Sequence, residues 1–169
     1  MLKTMIIYED IFRAFQREKV RYVLVGGIAV NLLGSLRNTA DMDILLEMTD
    51  INLKKAVTVL KKMGYRIKQP VDPMGIADKA TREDWIKNKH MKALNFYKDD
   101  ELKEIDFIIK TPVSFKVAYK GAIRIKSDGL VLPVASIDTL IKMKKSAGRP
   151  IDKLDIQELK KIKRLRRLI

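Results

Sequence analysis

Two aspartates, Asp41 and Asp43, stand two residues apart at the head of the apolar run Ile44-Leu45-Leu46. In a strand, residues i and i+2 share a face, roughly 7 Å apart along the chain. Asp41 and Asp43 therefore aim at one point, while Met42 and Ile44 point the other way. Paired carboxylates repel each other unless a positive charge sits between them, and a divalent ion meets that need. Upstream, Gly26-Gly27 follows the short apolar strand Tyr22-Val23-Leu24-Val25 and precedes a short helix over Ile28 to Leu33. Missing Cβ atoms let a phosphate approach the backbone, and a helix N-terminus offers free N–H groups. Carboxylates beside a phosphate cradle point to phosphoryl or nucleotidyl transfer. The competing reading is a solvated strand edge or a capped turn. It leaves two aspartates in a strand against their propensity, at a cost if they are buried without partners.

The composition narrows the chemistry. The single histidine is His90 and there are no cysteines, so disulfides and thiolate sites are excluded. Any metal must be held mainly by carboxylates, which favours Mg²⁺ or Mn²⁺ over Zn²⁺. A net charge of +14 and a pI near 9.9 imply an anionic partner, with nucleotide or nucleic acid leading. The other reading is a heat-adapted, lysine-rich surface, but such surfaces balance Lys with Glu and this one does not. The 169 residues suffice for one domain with a real core and are too few for two comfortable ones. No apolar stretch reaches the roughly 18 residues of a membrane span. Met1 to Tyr8 carries no small-residue cleavage site. A cytoplasmic protein with no membrane partner is expected.

Helical spacing of Ile7, Ile11, Phe12 and Phe15 predicts a helix over 5–19. Met42 to Glu47 is the second strand. Asp50 is read as the cap of a helix with apolar positions Leu53, Val57 and Leu60, ending at Gly64. Tyr65 to Lys68 is a third strand. Gln69 to Lys89, with Pro70, Pro73, Gly75 and Trp85, reads as an irregular segment, and a loop of that length in a compact domain is often functional. Ala93 to Tyr97 and Leu102 to Ile109 form a β-hairpin around Lys98-Asp99-Asp100-Glu101. Ala122 to Lys126 and Leu130 to Val134 form a second, around Ser127-Asp128-Gly129. From Ser136 the chain is helical, broken at Gly148-Arg149-Pro150. Strands and helices mix without strict alternation, so the predicted class is α+β: a small mixed sheet flanked by helices.

A site of this type wants a third carboxylate. Asp106 sits alone among Ile105, Phe107, Ile108 and Ile109, and Glu104 shares its face as a polar strand entry. A dinucleotide fingerprint fails, because Gly26-Gly27-Ile28-Ala29-Val30-Asn31 lacks two of its glycines. His90 reads as a surface residue. Trp85 fits base stacking or core packing.

Together, Gly26-Gly27-x-Ala29, Gly34, Arg37-x-Thr39-x-Asp41-x-Asp43 and the distant Asp106 resemble the signature of the DNA polymerase β-like nucleotidyltransferase superfamily. The minimal bacterial and archaeal branch, with its AbiEii-type toxins, is the nearer likeness. Leu140-Ile141-x-x-Lys144, Ala147-Gly148-Arg149-Pro150, Asp152 and Asp155 resemble the helical motif of that branch. The catalytic likeness spans about residues 20–110, and the C-terminal motif extends it to about 156. Many members carry Gly-Ser where this chain has Gly26-Gly27, so the hydroxyl contact to a phosphate must come from elsewhere.

The resemblance implies one nucleotidyltransferase domain over 1–169, with a catalytic core near 20–110 and a C-terminal hairpin and helices over 120–169. It implies catalysis by Asp41, Asp43 and Asp106, which would hold Mg²⁺ or Mn²⁺. Gly26, Gly27, Arg37, Thr39, Lys144 and Arg149 would bind the nucleotide, while Asp152 and Asp155 hold those cations or cap the last helix. Arg37 also reads as an ordinary surface arginine. An NTP would donate its nucleoside monophosphate to a hydroxyl on RNA, especially a tRNA end, on a protein, or on a small molecule. A toxin–antitoxin role follows the same likeness. The alternative is a nucleotide- or RNA-binding regulatory module without chemistry, which has no need for three metal carboxylates. Lys160, Lys161, Lys163, Arg164, Arg166 and Arg167 crowd the final helix, with Leu159, Ile162 and Leu165 at core-facing spacing. That cationic face suits RNA phosphates or simple solubility.

Overall fold

The apolar tetrad Tyr22–Val25 forms β1 and is buried at every position, so it runs inside a sheet covered on both faces. The computed structural model describes residues 2–99 and 101–169, with residues 2–6 described by backbone course alone. Asp100, in the turn of the first predicted hairpin, lies outside the described residues.

Helix α1 (Leu2–Arg17) leads into β1, and α2 (Gly26–Leu32) follows without a break. Strand β2 (Met42–Leu46), α3 (Asp50–Lys62) and the short β3 (Arg66–Ile67) come next. Strands β4 (Ala93–Lys98) and β5 (Glu101–Ile108) form the first hairpin, and β6 (Ile123–Ser127) and β7 (Leu130–Val134) the second. Helices α6 (Ile137–Ala147) and α7 (Pro150–Arg166) close the chain. One seven-stranded sheet runs in the order β3-β4-β5-β2-β1-β7-β6. The pairs β2–β5 and β1–β7 are parallel, and the rest are antiparallel. The α+β class with a mixed sheet flanked by helices is as expected.

The core is continuous. Tyr8, Phe12 and Phe15 of α1 and Leu53, Val57 and Leu60 of α3 are buried, as are Phe96 and Phe107, whose ring centroids lie 4.7 Å apart. Each such side chain stabilises the fold by about 1.5–3 kcal/mol relative to exposure. Buried Asn52 joins elements by accepting from Arg21 N at 2.8 Å and donating to the carbonyls of Arg21 and Glu47 at 2.9 Å each.

Several elements depart from expectation. The cap of α3 is Thr49, whose hydroxyl accepts from Asn52 N, and Asp50 is the first helical residue, where its charge suits the helix dipole. The stretch 69–89 is not an irregular loop: it holds a 3₁₀ helix (Pro73–Ala77) and α4 (Lys79–Lys87). Asp72 and Asp78 cap them, accepting from Met74 N and Thr81 N at 2.9 Å each. Pro73 stands where a helix needs no N–H. Trp85 is buried against Gly75, whose added Cβ would lie 2.8 Å from its ring, so it packs this segment and has no free face for a base. Helix α5 (Phe115–Lys120), capped by Ser114, fills a connection with no sequence expectation. On α7, Leu159 is buried as expected, but Leu154 and Leu165 are more than half exposed. Among the described residues no helix is long and apolar enough to cross a membrane.

Candidate active site

One row of register partners crosses the sheet: Val25 opposite Asp43, Asp43 beside Asp106, and Asp106 beside Asn95. Register partners present their side chains on the same face. The two aspartates, far apart in sequence, are thus neighbours on one surface. Asn95 donates from Nδ2 to Asp106 Oδ1 at 2.6 Å. Gln69 fixes Asn95 in turn, accepting from its backbone N at 3.0 Å and donating to its Oδ1. The other oxygen of Asp106, and both oxygens of Asp43 and Asp41, make no hydrogen bond among the described residues.

The glycine pair is needed for close approach. Gly26 has φ +68°, and an added Cβ would lie 1.9 Å from Asp43 Oδ2. A Cβ on Gly27 would lie 2.7 Å from Thr39 Oγ1 and 3.0 Å from Arg37 Nη2. The space left by the missing side chains is therefore shared with Asp43, Thr39 and Arg37. Helix α2 starts at Gly26 itself, two residues before its expected start.

Asp43 and Asp106 face a cleft of about 640 Å³. Val25 and Gly26 share their wall, while Leu140, Met143 and Lys144 of α6, followed by Arg149, form the opposite one. Lys92 and Lys110 also line it. Asp41 is exposed at the rim, just before β2 and outside that lining. Its backbone is held from below, where the Tyr8 hydroxyl lies against the carbonyls of Ala40 and Glu104, 3.0 Å from the latter.

Burial, followed by the charges of Asp106 and Asp41, pushes the Asp43 carboxyl up to about 7, against the pull of Lys144 and Arg149. Burial also raises Asp106, opposed by the Asn95 hydrogen bond and reinforced by Asp41 and Glu104. Glu104 itself pairs with Lys68 at 2.5 Å. The free oxygens and the mutual repulsion fit a hard divalent cation in the Mg²⁺ or Mn²⁺ class. Among the described residues no three carboxylate or imidazole groups converge into a closed metal site.

The cationic wall is an ion-pair cluster. Lys144 Nζ lies 2.6 Å from Asp155 and 3.6 Å from Asp152. Arg37 also pairs with Asp155, so it is not a loose surface arginine. Arg149 donates to Asp152 through Nε at 2.8 Å and Nη2 at 3.1 Å, and its backbone N donates to the same carboxylate at 3.0 Å at the start of α7. Burial pushes the Asp152 carboxyl up, but these hydrogen bonds hold it below its ordinary range. The buried face of α7 is therefore Asp152, Asp155 and Leu159.

Sequence reasoning missed Tyr8, Gln69, Asn95, Lys92 and Lys110. For Asn95 a signal existed: it is the polar residue between Leu94 and Phe96 of an apolar strand. His90 is exposed and away from the cleft lining.

No protein-family model matches the sequence, and a search of the curated proteins finds no match. Solved structures do match in fold. The lincosamide antibiotic adenylyltransferase LnuA, bound to lincomycin, is 18% identical, with a TM-score of 0.62 over 96% of this chain and 98% of that one. ANT(2″)-Ia in complex with adenylyl-2″-tobramycin is 13% identical, with a TM-score of 0.55 over 99% of this chain and 97% of that one. A solution structure of the antibiotic-resistance factor ANT(2″)-Ia gives 14% identity and a TM-score of 0.54 over 95% and 83%. The chain has the fold of these nucleotidyltransferase structures along nearly its whole length.

Proposed function

We propose that this chain is an enzyme that transfers a nucleoside monophosphate from an NTP to a hydroxyl group of a small molecule. The observation that carries the reading is the pair Asp43 and Asp106, side by side and facing Lys144 and Arg149 across one cleft. The fold shared with adenylyltransferases of antibiotic hydroxyl compounds supports the reaction class and a small acceptor.

In this reading Asp43 and Asp106, joined by Asp41 from the rim, hold a divalent cation. When bound, such an ion neutralises charge on the attacking and leaving oxygens. Asn95 keeps one oxygen of Asp106 engaged, which leaves the other free for the cation. Lys144 and Arg149 face the phosphates, and Gly26 lets the chain come close. The acceptor oxygen attacks the α-phosphorus, the bond to the pyrophosphate oxygen breaks, and the hydroxyl proton leaves to solvent.

A second reading takes an RNA end as acceptor. Lys160, Lys161, Arg164 and Arg167 are exposed on or just beyond α7 and have no carboxylate partner among the described residues. A protein acceptor and a toxin role rest on the sequence resemblance alone.

The test is transfer of α-³²P label from each of the four NTPs to lincosamides, aminoglycosides, other small polyols and total RNA. Asp106→Asn serves as the control. Label on a small molecule, lost in the control, is the expected result. Label on RNA alone moves the acceptor to the second reading, and no transfer or pyrophosphate release anywhere removes the enzyme reading.

A further inference from the structure

Two lysines line the cleft beyond its aspartates. Ile108 and Lys110, two and four residues past Asp106, are both in its lining, and so is Lys92. The lysines are tied at the backbone, where the Lys92 carbonyl accepts from Ile109 N at 2.9 Å and from Lys110 N at 3.2 Å. The turn that follows is fixed. Thr111 Oγ1 donates to the Val113 carbonyl at 2.9 Å and accepts from Val113 N at 3.2 Å, and the ring of Pro112 locks its φ. The placing of both lysines is therefore built into the ends of β4 and β5.

The charges that line the cleft sort into partners, with two left over. Lys144 and Arg149 are paired with Asp152 and Asp155. Asp43 and Asp106 keep oxygens for a divalent cation. Lys92 and Lys110 are exposed and have no carboxylate partner among the described residues. An oxyanion between two ammonium groups gains charge-assisted hydrogen bonds, while a cationic ligand is repelled there. Lys110 lies four residues past Asp106, roughly 13 Å along an extended chain. A hydroxyl at Asp106 and an oxyanion at the lysines therefore fit the two ends of one small molecule. Ile108 lies between them in the chain, and Leu140 and Met143 line the opposite wall, which suits a carbon skeleton.

We propose that Lys92 and Lys110 select the acceptor, a small hydroxyl compound that carries a phosphate group. The inference rests on the nucleotidyl-transfer reading above and names the substrate class of that site. The phosphate of the acceptor anchors it and does not react. A hydroxyl oxygen of the same molecule attacks the α-phosphorus, the bond to pyrophosphate breaks, and the hydroxyl proton leaves to solvent. An aminoglycoside, a polycation at neutral pH, meets repulsion at the same lysines.

The experiment compares matched acceptors: glycerol 3-phosphate, ribose 5-phosphate and glucose 6-phosphate against glycerol, ribose and glucose, with tobramycin beside them. Transfer is read as kcat/KM with each α-³²P-labelled NTP. Binding is read by calorimetric titration of the full chain held with Mg²⁺ and α,β-methylene-ATP, whose α–β bridge does not break. At least one phosphate ester should bind and react about tenfold or more better than its neutral twin, the scale of charge-assisted hydrogen bonds. Lys92→Gln with Lys110→Gln should bring that ratio close to one and weaken binding of the ATP analogue far less. Lys92→Glu with Lys110→Glu should turn the preference toward tobramycin. Both lysines are exposed, so circular dichroism should show the parent fold in each variant. Equal use of the twins by the parent, or a preference that survives in the Gln variant, overturns the proposal. An equal loss of ATP-analogue binding also overturns it, because the lysines then serve the NTP. A preference found only with a short oligoribonucleotide moves the acceptor to RNA and overturns it too. Lysine-dependent binding of a phosphate ester without transfer from any NTP sinks the enzyme reading and leaves the oxyanion site standing. Transfer to neutral polyols or tobramycin in preference to every phosphate ester keeps the enzyme reading and sinks this one.

Discussion

Asp43 and Asp106 are direct register partners on the parallel strands β2 and β5, so two carboxylates share one face of the sheet at its centre. Burial, and after it their repulsion, has a pH signature. The Asp43 carboxyl is held at about 7 in the fold, against an ordinary 3.8. The folded state therefore prefers the protonated form. The stability this contributes is complete below about pH 3.8 and is lost as pH rises through about 7. In EDTA, the unfolding free energy of the parent minus that of Asp43→Asn should fall by up to about 4 kcal/mol across that window. Urea titrations at several pH values measure it. A flat difference means that Asp43 is neither shut away from water nor opposed by its neighbours.

Divalent ions should reverse that penalty. Mg²⁺ or Mn²⁺ with ATP should raise Tm, because a ligand held at a hundredfold excess over its Kd stabilises the native state by about 2.7 kcal/mol. Asp41→Asn combined with Asp43→Asn should abolish the shift. A shift that survives the double change places the ion elsewhere.

Asn95 should matter for rate more than for binding. It donates to Asp106 at 2.6 Å and is itself held by Gln69. Asn95→Ala should cost about 1 kcal/mol of stability. It should also lower kcat on the order of tenfold, with a smaller change in KM for the NTP. Steady-state kinetics decide this, and an unchanged kcat would show that Asp106 needs no such support.

Gly26→Ala should act through Asp43. The new Cβ meets the Asp43 carboxylate at 1.9 Å, and the backbone there has φ +68°. A strained position of this kind costs about 1–3 kcal/mol. The fold should survive with a lower Tm, and the metal-dependent rise in Tm should disappear. A variant with an intact metal response would show that Asp43 can serve from a displaced position.

The cations on or just beyond α7 that have no carboxylate partner among the described residues give the test of an RNA acceptor. Lys163 pairs with Asp138 and Arg166 bonds to the Leu33 carbonyl, so Lys160, Lys161, Arg164 and Arg167 are the ones to change. Their replacement by Gln should weaken RNA binding and flatten its salt dependence by roughly 0.7 in log–log slope for each RNA phosphate no longer neutralised. Filter binding across a salt series reads this. No RNA binding by the parent leaves the small-molecule acceptor alone.

The heart of the site was legible because isolated charge in apolar strands is hard to explain otherwise. Asp43 beside Ile44 and Leu45, and Asp106 between Ile105 and Phe107, announce themselves by period and by cost. The β4–β5 hairpin was legible, but its register, which sets Asn95 opposite Asp106, was not, and neither was the parallel pairing that lays β5 beside β2. Proline and glycine misled in 69–89, where Pro73 starts a helix and Gly75 makes room for Trp85. Hydrophobic spacing misled on α7, because that helix buries Asp152 and Asp155 and leaves Leu154 and Leu165 in water. Apolar periodicity cannot find a face that is buried by ion pairs. Tyr8 looks like any core aromatic of an amphipathic helix until the carbonyls above it are seen.

The two walls of the cleft are made at different times. Asp43 and Asp106 lie in the first two thirds of the chain, and the cluster around Asp155 comes near its end. At the roughly 5–20 residues per second of synthesis, seconds separate Asp106 from Asp155. Arg37 is already made but has nothing to hold it. At this stage the Asp43–Asp106 pair has no cationic wall opposite it. The ion-pair cluster thus forms only when α7 carries Asp155 between Arg37 and Lys144.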